Sequence, residues 1–150
     1  MKKILVLGAP VFQIPVIEKA KEMEIYVGVV DINPMAPATK YADEYFEASI
    51  KDKEEVLKIA YKFAPDGIVV GACDTSVVTA AYVCKRMGLP GHTEEAALKA
   101  TNKIEMLYAF EAYEIAHPKY QVIKKKDIRN FKITIPYPVI SKPTDSAGGR

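Results

Sequence analysis

Residues 1 to about 90 are predicted to form an α/β domain with a parallel β-sheet. Short, continuous apolar runs alternate there with segments of helical periodicity. The runs at residues 3–8 and 25–30 are typical of strands that are buried on both faces, as in a parallel sheet. Regular alternation of strands and helices predicts right-handed crossovers between parallel neighbours.

Each element in this half has its own local signal. The helix at residues 12–24 is expected to begin near Pro15, because proline fits only the first turn. A short third strand is predicted around Tyr45 and Phe46. Asp52, with a glutamate three residues later, predicts a capped helix. A fourth strand at 68–71 is followed by a helix at 75–87, which Gly88 is expected to end.

The pattern changes after residue 90. Thr93 is expected to start a helix whose first turn carries two glutamates, which the helix dipole favours. Asn102 is expected to cap a second helix that ends at residues 117–118. Strands are predicted at residues 120–123 and 137–140, and the lysine run at 124–126 is predicted to be a solvated loop.

Composition excludes several classes of function. The chain has 150 residues, and 21 Lys and Arg against 19 Asp and Glu give a net charge of +2. That balance is atypical of a basic nucleic-acid-binding surface spread over the whole protein. Two cysteines and two histidines argue against a disulfide scaffold and a zinc site. We find no apolar stretch of membrane-spanning length, so we expect no membrane partner and a cytoplasmic location.

Gly8 and Asp31 offer a nucleotide-binding interpretation. A glycine after the first strand and an acid after the second resemble the dinucleotide-binding motif. That motif needs two more glycines, and here Pro10 removes a backbone donor at the second position. A tight strand-to-helix turn is the structural alternative. A non-catalytic Rossmann-like module that binds a nucleotide or metabolite stays open as an alternative function.

The last ten residues suggest a phosphate-binding loop. Lys142 precedes a small, polar segment that contains Ser146, Gly148 and Gly149. Glycines let backbone N–H groups converge on anionic oxygens, and a lysine supplies positive charge. The order differs from a Walker A loop, in which the lysine follows the glycines. Lys103 lies at a helix start, where the dipole disfavours a cation, and this conflict favours a functional role. An ordinary exposed lysine of a helix is the structural alternative.

Asp74 and Thr75 follow the fourth predicted strand, where open α/β sheets bind ligands. Either residue would also serve as a helix N-cap. With Gly8, they are the candidate substrate-binding residues. Neither cysteine has a histidine nearby in the sequence that would activate it as a nucleophile.

The order of these motifs resembles the N-terminal part of an ATP-grasp enzyme. The matching stretches are GLPG at residues 88–91, TNKIEM at 101–106, YPVISKP at 137–143 with GGR at 148–150, and the segment at 31–44. The similarity extends over nearly the whole chain. It is greatest to the branch that contains biotin carboxylase, carbamoyl-phosphate synthase and the purine-pathway ligases.

The resemblance implies two domains: a Rossmann-like pre-ATP-grasp domain at 1–91 and the start of an ATP-grasp domain at 92–150, truncated in its glycine-rich loop. If the family's residue roles apply at the matching positions, Lys103 and Lys142 would contact the ATP phosphates. Ser146, Gly148 and Gly149 would form the loop that closes over those phosphates. The family activates a carboxylate as an acyl phosphate, which an amine then attacks.

Further expectations follow from the same resemblance. The cofactors would be ATP and Mg²⁺, with the metal ligands beyond this chain. The partners would be small-molecule carboxylate and amine substrates, and the resemblance also suggests a homodimer. We therefore expect these residues to be an N-terminal fragment that is inactive by itself.

Overall fold

The computed structural model describes residues 1–71 and 73–145. Its sheet has four parallel strands in the order β3-β2-β1-β4. The strands are β1 (Lys3–Leu7), β2 (Tyr26–Asp31), β3 (Glu44–Glu47) and β4 (Gly67–Val69). The α/β class with a parallel sheet is thus confirmed. Because all strands run the same way, the loops after them meet along one side of the sheet, called here the carboxyl edge.

The described part of the chain contains five α-helices. They are α1 (Ile14–Glu22), α2 (Lys53–Phe63), α3 (Asp74–Met87), α4 (Glu94–Thr101) and α5 (Lys103–Ala112). Asp52 caps α2 by accepting a hydrogen bond from the Glu55 N–H at 3.1 Å. Gly88 ends α3 in the left-handed conformation with φ +67°. Both residues have the positions that the sequence predicts.

The core forms two layers, one on each face of the sheet. On one face, apolar residues of β1 and β2 pack with α2 and α3, including the buried Val56, Phe63 and Val83. On the other face, strand residues pack with Ile17 and Ala20 of α1. Strands buried on both faces explain why the apolar runs in the sequence are continuous rather than alternating.

The contacts divide the chain into a unit of Met1–Ala97 and a second unit that begins at Leu98. The first unit contains the whole sheet. The second contains α5, and none of its residues from 98 to 145 is buried. The domain boundary after residue 91 stays a prediction. Within the described ranges, no helix is long and apolar enough to cross a membrane.

Two predicted strands are wrong. Residues 120–123 and 137–140 are irregular. In place of a strand ladder, the side chain of Gln121 links the two segments. Its amide nitrogen donates to the Lys132 carbonyl and its oxygen accepts from the Thr134 N–H, both at 2.9 Å. Pro136 and Pro138 have no N–H to donate to a strand ladder. The fourth strand is also shorter than predicted, while Lys124, Lys125 and Lys126 are exposed as expected.

Candidate functional site

Gly8 makes a tight turn at the carboxyl edge. Its φ is +92°, a conformation that L side chains rarely adopt, and its N–H donates to the Val30 carbonyl at 2.8 Å. A Cβ added at Gly8 would lie 3.6 Å from Cys73 Sγ and 3.7 Å from Ile50 Cδ1. The turn therefore brings three loops of this edge close to one point.

Asp31 stabilises the loop that follows Gly8 through hydrogen bonds to the backbone. One carboxylate oxygen accepts from the Ala9 N–H at 2.7 Å, and the other accepts from the Asn33 N–H at 2.9 Å. Asp31, whose position resembles that of a ribose-binding acid, thus accepts hydrogen bonds from two backbone N–H groups. Pro10, the next residue after Ala9, has no N–H for a phosphate.

The start of α3 differs from the prediction. Neither Asp74 nor Thr75 is the N-cap, because Cys73 occupies that position and Asp74 is the first helical residue. The Thr75 hydroxyl lies 3.4 Å from Cys73 Sγ, and Asp74 is exposed. Gly8 and Thr75 are therefore both next to Cys73, a thiol that sequence reasoning did not assign to the site.

Gln13 is a second residue that the sequence analysis missed. It is fully buried, and its amide nitrogen donates to the Gly71 carbonyl at 2.6 Å. It thereby joins the loop after β1 to the loop after β4. A Cβ at Gly71 would lie 2.7 Å from Gln13 Oε1, so this contact needs glycine. The available signal was a single polar residue within the apolar stretch at 11–17.

Burial and charge also act on the neighbouring Tyr45. Its hydroxyl donates to the Asp31 carbonyl at 2.8 Å. Burial raises the pKa of Tyr45, and the carboxylates of Glu47 and Asp31 raise it further. Tyr45 therefore acts here as a neutral hydrogen-bond donor that holds the end of β2.

The second group of candidates lies at the start of α5. Asn102 caps this helix as predicted: its side-chain oxygen accepts from the N–H groups of Ile104 and Glu105, at 2.9 and 3.3 Å. The Lys103 N–H donates to the Thr144 carbonyl at 2.9 Å. All three amides of the first turn thus have partners.

The Lys103–Thr144 bond brings two predicted site segments together. Lys142 stands two residues before Thr144, although 39 positions separate it from Lys103 in the sequence. Lys142 is exposed and Lys103 is half-buried. Ser146, Gly148 and Gly149 lie outside the described residues.

Magnesium ligands do not assemble in the described ranges. No group of three or more His, Cys, Asp or Glu side chains there lies close enough to hold a metal ion. The described residues therefore do not fit a magnesium site of their own.

Comparison of the whole structure with solved structures gives clear matches. A phosphoribosylglycinamide synthetase from Anaerococcus prevotii is 29% identical, with a TM-score of 0.73 over 86% of this chain and 33% of that one. An N5-carboxyaminoimidazole ribonucleotide synthetase from Thermotoga maritima is 25% identical, with a TM-score of 0.68 over 88% and 37%. An L-amino acid ligase from Bacillus licheniformis has a TM-score of 0.77 over 97% and 38%, at 15% identity.

The chain has the fold of the N-terminal part of ATP-grasp enzymes. It spans about a third of the length of the solved structures that it matches. No family model matches the sequence, and no curated protein does. The ATP-grasp resemblance of the sequence motifs and the α/β fold class are confirmed, whereas the roles of individual site residues stay predictions.

Proposed function

We propose that this chain supplies the N-terminal part of an ATP-dependent carboxylate–amine ligase, or of a related carbamoyl-phosphate-synthase-like enzyme. Lys103 and Lys142 would hold ATP phosphates, and the carboxyl edge of the first unit would bind a substrate through Gly8, Asp74 and Thr75. A homodimer and a cytoplasmic location remain predictions.

The observation that carries the proposal is the bond between the Lys103 N–H and the Thr144 carbonyl, at 2.9 Å. This bond holds the backbone of Lys103 against Thr144, which follows Lys142 by two positions in the sequence. The side chains of two lysines carried by these joined segments would neutralise part of the negative charge of a polyphosphate, and hydrogen bonds to charged groups contribute about 1.5–3 kcal/mol each. Because the first-turn amides of α5 already have partners, the lysine side chains must supply these contacts.

In the proposed reaction, a carboxylate oxygen of the substrate attacks the γ-phosphorus of ATP, and ADP leaves. The resulting acyl phosphate is attacked by the amine nitrogen, which forms the new C–N bond as inorganic phosphate departs. Catalysis of phosphoryl transfer consists mostly of positioning and charge neutralisation. Lys103 and Lys142 would perform the neutralisation at the ATP phosphates.

Nucleotide complexes of similar solved structures support this use of ATP. They include N5-carboxyaminoimidazole synthetases with ADP and a biotin carboxylase domain dimer from Hydrogenobacter thermophilus with MgADP. The alternative, a non-catalytic nucleotide-binding Rossmann-like module, has weaker support. Its expected ribose ligand, Asp31, is engaged by the Ala9 and Asn33 amides.

Calorimetric titration of the chain with MgATP tests the proposal. We expect Lys103→Ala and Lys142→Ala each to weaken ATP binding by about tenfold or more, since a charged hydrogen bond is lost. Lys125→Ala is the matched control, because Lys125 is an exposed lysine of a separate 3-10 turn.

Unchanged ATP affinity in Lys142→Ala would contradict the assignment, as would the absence of saturable binding by the unaltered chain. NAD binding that is insensitive to Lys142→Ala would support the non-catalytic alternative.

A further inference from the structure

The sheet ends on one side at β4, and no strand of the described residues pairs with the outer side of β4. This strand pairs in parallel with β1 and is the last in the order β3-β2-β1-β4. The nearby segment at 89–92 is held by α3 instead. The Leu89 N–H donates to the Cys84 carbonyl at 2.9 Å, and a Cβ built at Gly91 would lie 2.8 Å from Cys84 Cβ. The outer side of β4 therefore presents backbone groups to which another strand can bond.

An apolar space lies on each face of the sheet at β4. On the face of α1, an open groove of about 470 Å³ is lined by Ile4 and Val69 of the strands and by Val16 and Met23 of α1 and its end. On the opposite face, a cavity of about 190 Å³ lies between Ile68 and α3. Successive side chains of a strand point to opposite faces of the sheet. One further strand beside β4 would therefore direct apolar side chains toward both spaces.

The two outer strands of the sheet differ in charge. β3 carries Glu44 and Glu47, and both side chains are exposed. Charged side chains on an outer strand oppose pairing with another strand. Residues 67–71, by contrast, contain no charged side chain, and a Cβ built at Gly67 would meet no atom within 4 Å. A strand can thus add beside β4 without burying a charge of that strand.

We propose that the outer side of β4 is a dimer interface, at which β4 pairs antiparallel with β4 of a second copy of the chain. The occupant needs an unpaired side, apolar side chains on both faces and no charge, and β4 itself has all three properties. Because proteins usually cover or charge such strands, a second copy is the partner that always presents a matching one.

Two-fold symmetry fits this pairing. An axis perpendicular to the sheet reverses the strand direction and keeps the two faces, so two four-stranded sheets join into one of eight strands. Val69 of each copy then lies on the face of the groove, and Ile68 of each copy lies on the face of α3. The charged residue of the groove, Lys19, pairs with Glu22 at 2.6 Å within its own copy. Since β4 has three residues, the interface is small and the dimer is expected to be weak and reversible.

Sedimentation velocity of the full chain between about 5 and 500 µM, the range of weak dimers, measures self-association. Amide hydrogen exchange at the two ends of this range locates the interface. We expect a monomer–dimer equilibrium in which the amides of residues 67–70 are more protected at the high concentration than at the low one.

Substitutions test the same surface. Met23→Lys, at an exposed position of the groove, should weaken the dimer about tenfold or more, because an ammonium group would lose water in an apolar contact. Met35→Lys is the matched control, since Met35 is also exposed but follows β2, which β1 separates from β4. Val69→Lys should abolish the dimer, and circular dichroism checks that each variant is folded. If Val69→Lys is unfolded, Met23→Lys decides.

A monomer at all these concentrations would overturn the inference. A dimer whose residues 67–70 exchange as fast as in the monomer would also overturn it, because association would then use another surface. Protection that does not change with concentration would mean that the chain covers β4 by itself. Equal effects of Met23→Lys and Met35→Lys, or open-ended polymers, would contradict the two-fold pairing. ATP titration tests the proposed function separately, because Lys103 and Lys142 lie outside the unit Met1–Ala97 that contains β4.

Discussion

Replacing Asp31 by alanine separates a structural role from a nucleotide-binding role at the carboxyl edge. In the structure, the two carboxylate oxygens accept from the Ala9 and Asn33 N–H groups at 2.7 and 2.9 Å. Ala9 is fully buried, whereas Asn33 is exposed. Water can therefore replace the carboxylate more easily at Asn33 than at Ala9.

The cost of the substitution follows from that difference. A buried N–H without an acceptor costs about 1–3 kcal/mol, and the solvated one adds about 0.5 kcal/mol. We expect Asp31→Ala to lower the free energy of unfolding by about 1.5–3.5 kcal/mol. For a unit of this size, the melting temperature should fall by roughly 6–28 °C. Asp31→Asn should cost about half as much, because its amide oxygen still accepts one bond.

Urea denaturation followed by circular dichroism measures this effect, with Glu18→Ala on the exposed surface of α1 as the control. Hydrogen exchange at the Ala9 amide gives a local measure of the same loss. The argument is refuted if Asp31→Ala unfolds within about 0.5 kcal/mol of the unaltered chain, the spread of ordinary surface substitutions.

Three further predictions concern backbone conformation, packing and ionisation. Ala64 ends α2 with φ +51°, a left-handed conformation that is strained for alanine but not for glycine. Ala64→Gly should therefore raise the free energy of unfolding by about 0.5–1 kcal/mol. A lower free energy of unfolding in urea would contradict this reasoning. A Cβ at Gly28 would lie 2.8 Å from the Phe63 ring, so Gly28→Ala should lower the free energy of unfolding by about 1–3 kcal/mol. Gly67→Ala is the control: a Cβ there would have no neighbouring atom within 4 Å, and the free energy of unfolding should change little. Partial burial, together with the hydrogen bond to Glu111 and the charge of that carboxylate, raises the pKa of Tyr120 from the usual 10.0 to about 12. The stabilising contribution of Tyr120 is therefore complete below pH 10 and is lost as the pH rises through 12. Ultraviolet titration should show late-titrating tyrosines, of which Tyr120→Phe removes one, and an unchanged curve in that variant would refute the assignment.

Elements with strong local signals were predictable from the sequence. β1 and β2 follow from continuous apolar runs, and the caps at Asp52 and Asn102 from polar residues that bind amides two or three positions later. Gly88 follows from the need for a left-handed residue at the end of α3. In each case the determining interactions lie within a few residues of one another.

Features that depend on distant partners were not predictable. Gly28 is required because Phe63 packs against it, and Gln13 is buried because Gly71 accepts its hydrogen bond. Cys73 lies beside Gly8 only when the sheet has brought the loops after β1 and β4 together. The apolar runs at 120–123 and 137–140 lack a neighbouring strand to pair with in the described residues, so their local β-propensity is not expressed.

The bond between Lys103 and Thr144 closes a long loop through the second unit. Closing a loop becomes only slowly more costly as it lengthens, by about 0.6 kcal/mol for each doubling. Insertions or deletions in the exposed residues 123–130 should therefore leave the spacing of the two lysine backbones nearly unchanged. Sequence length in this region can vary while the two ends of the loop keep their geometry.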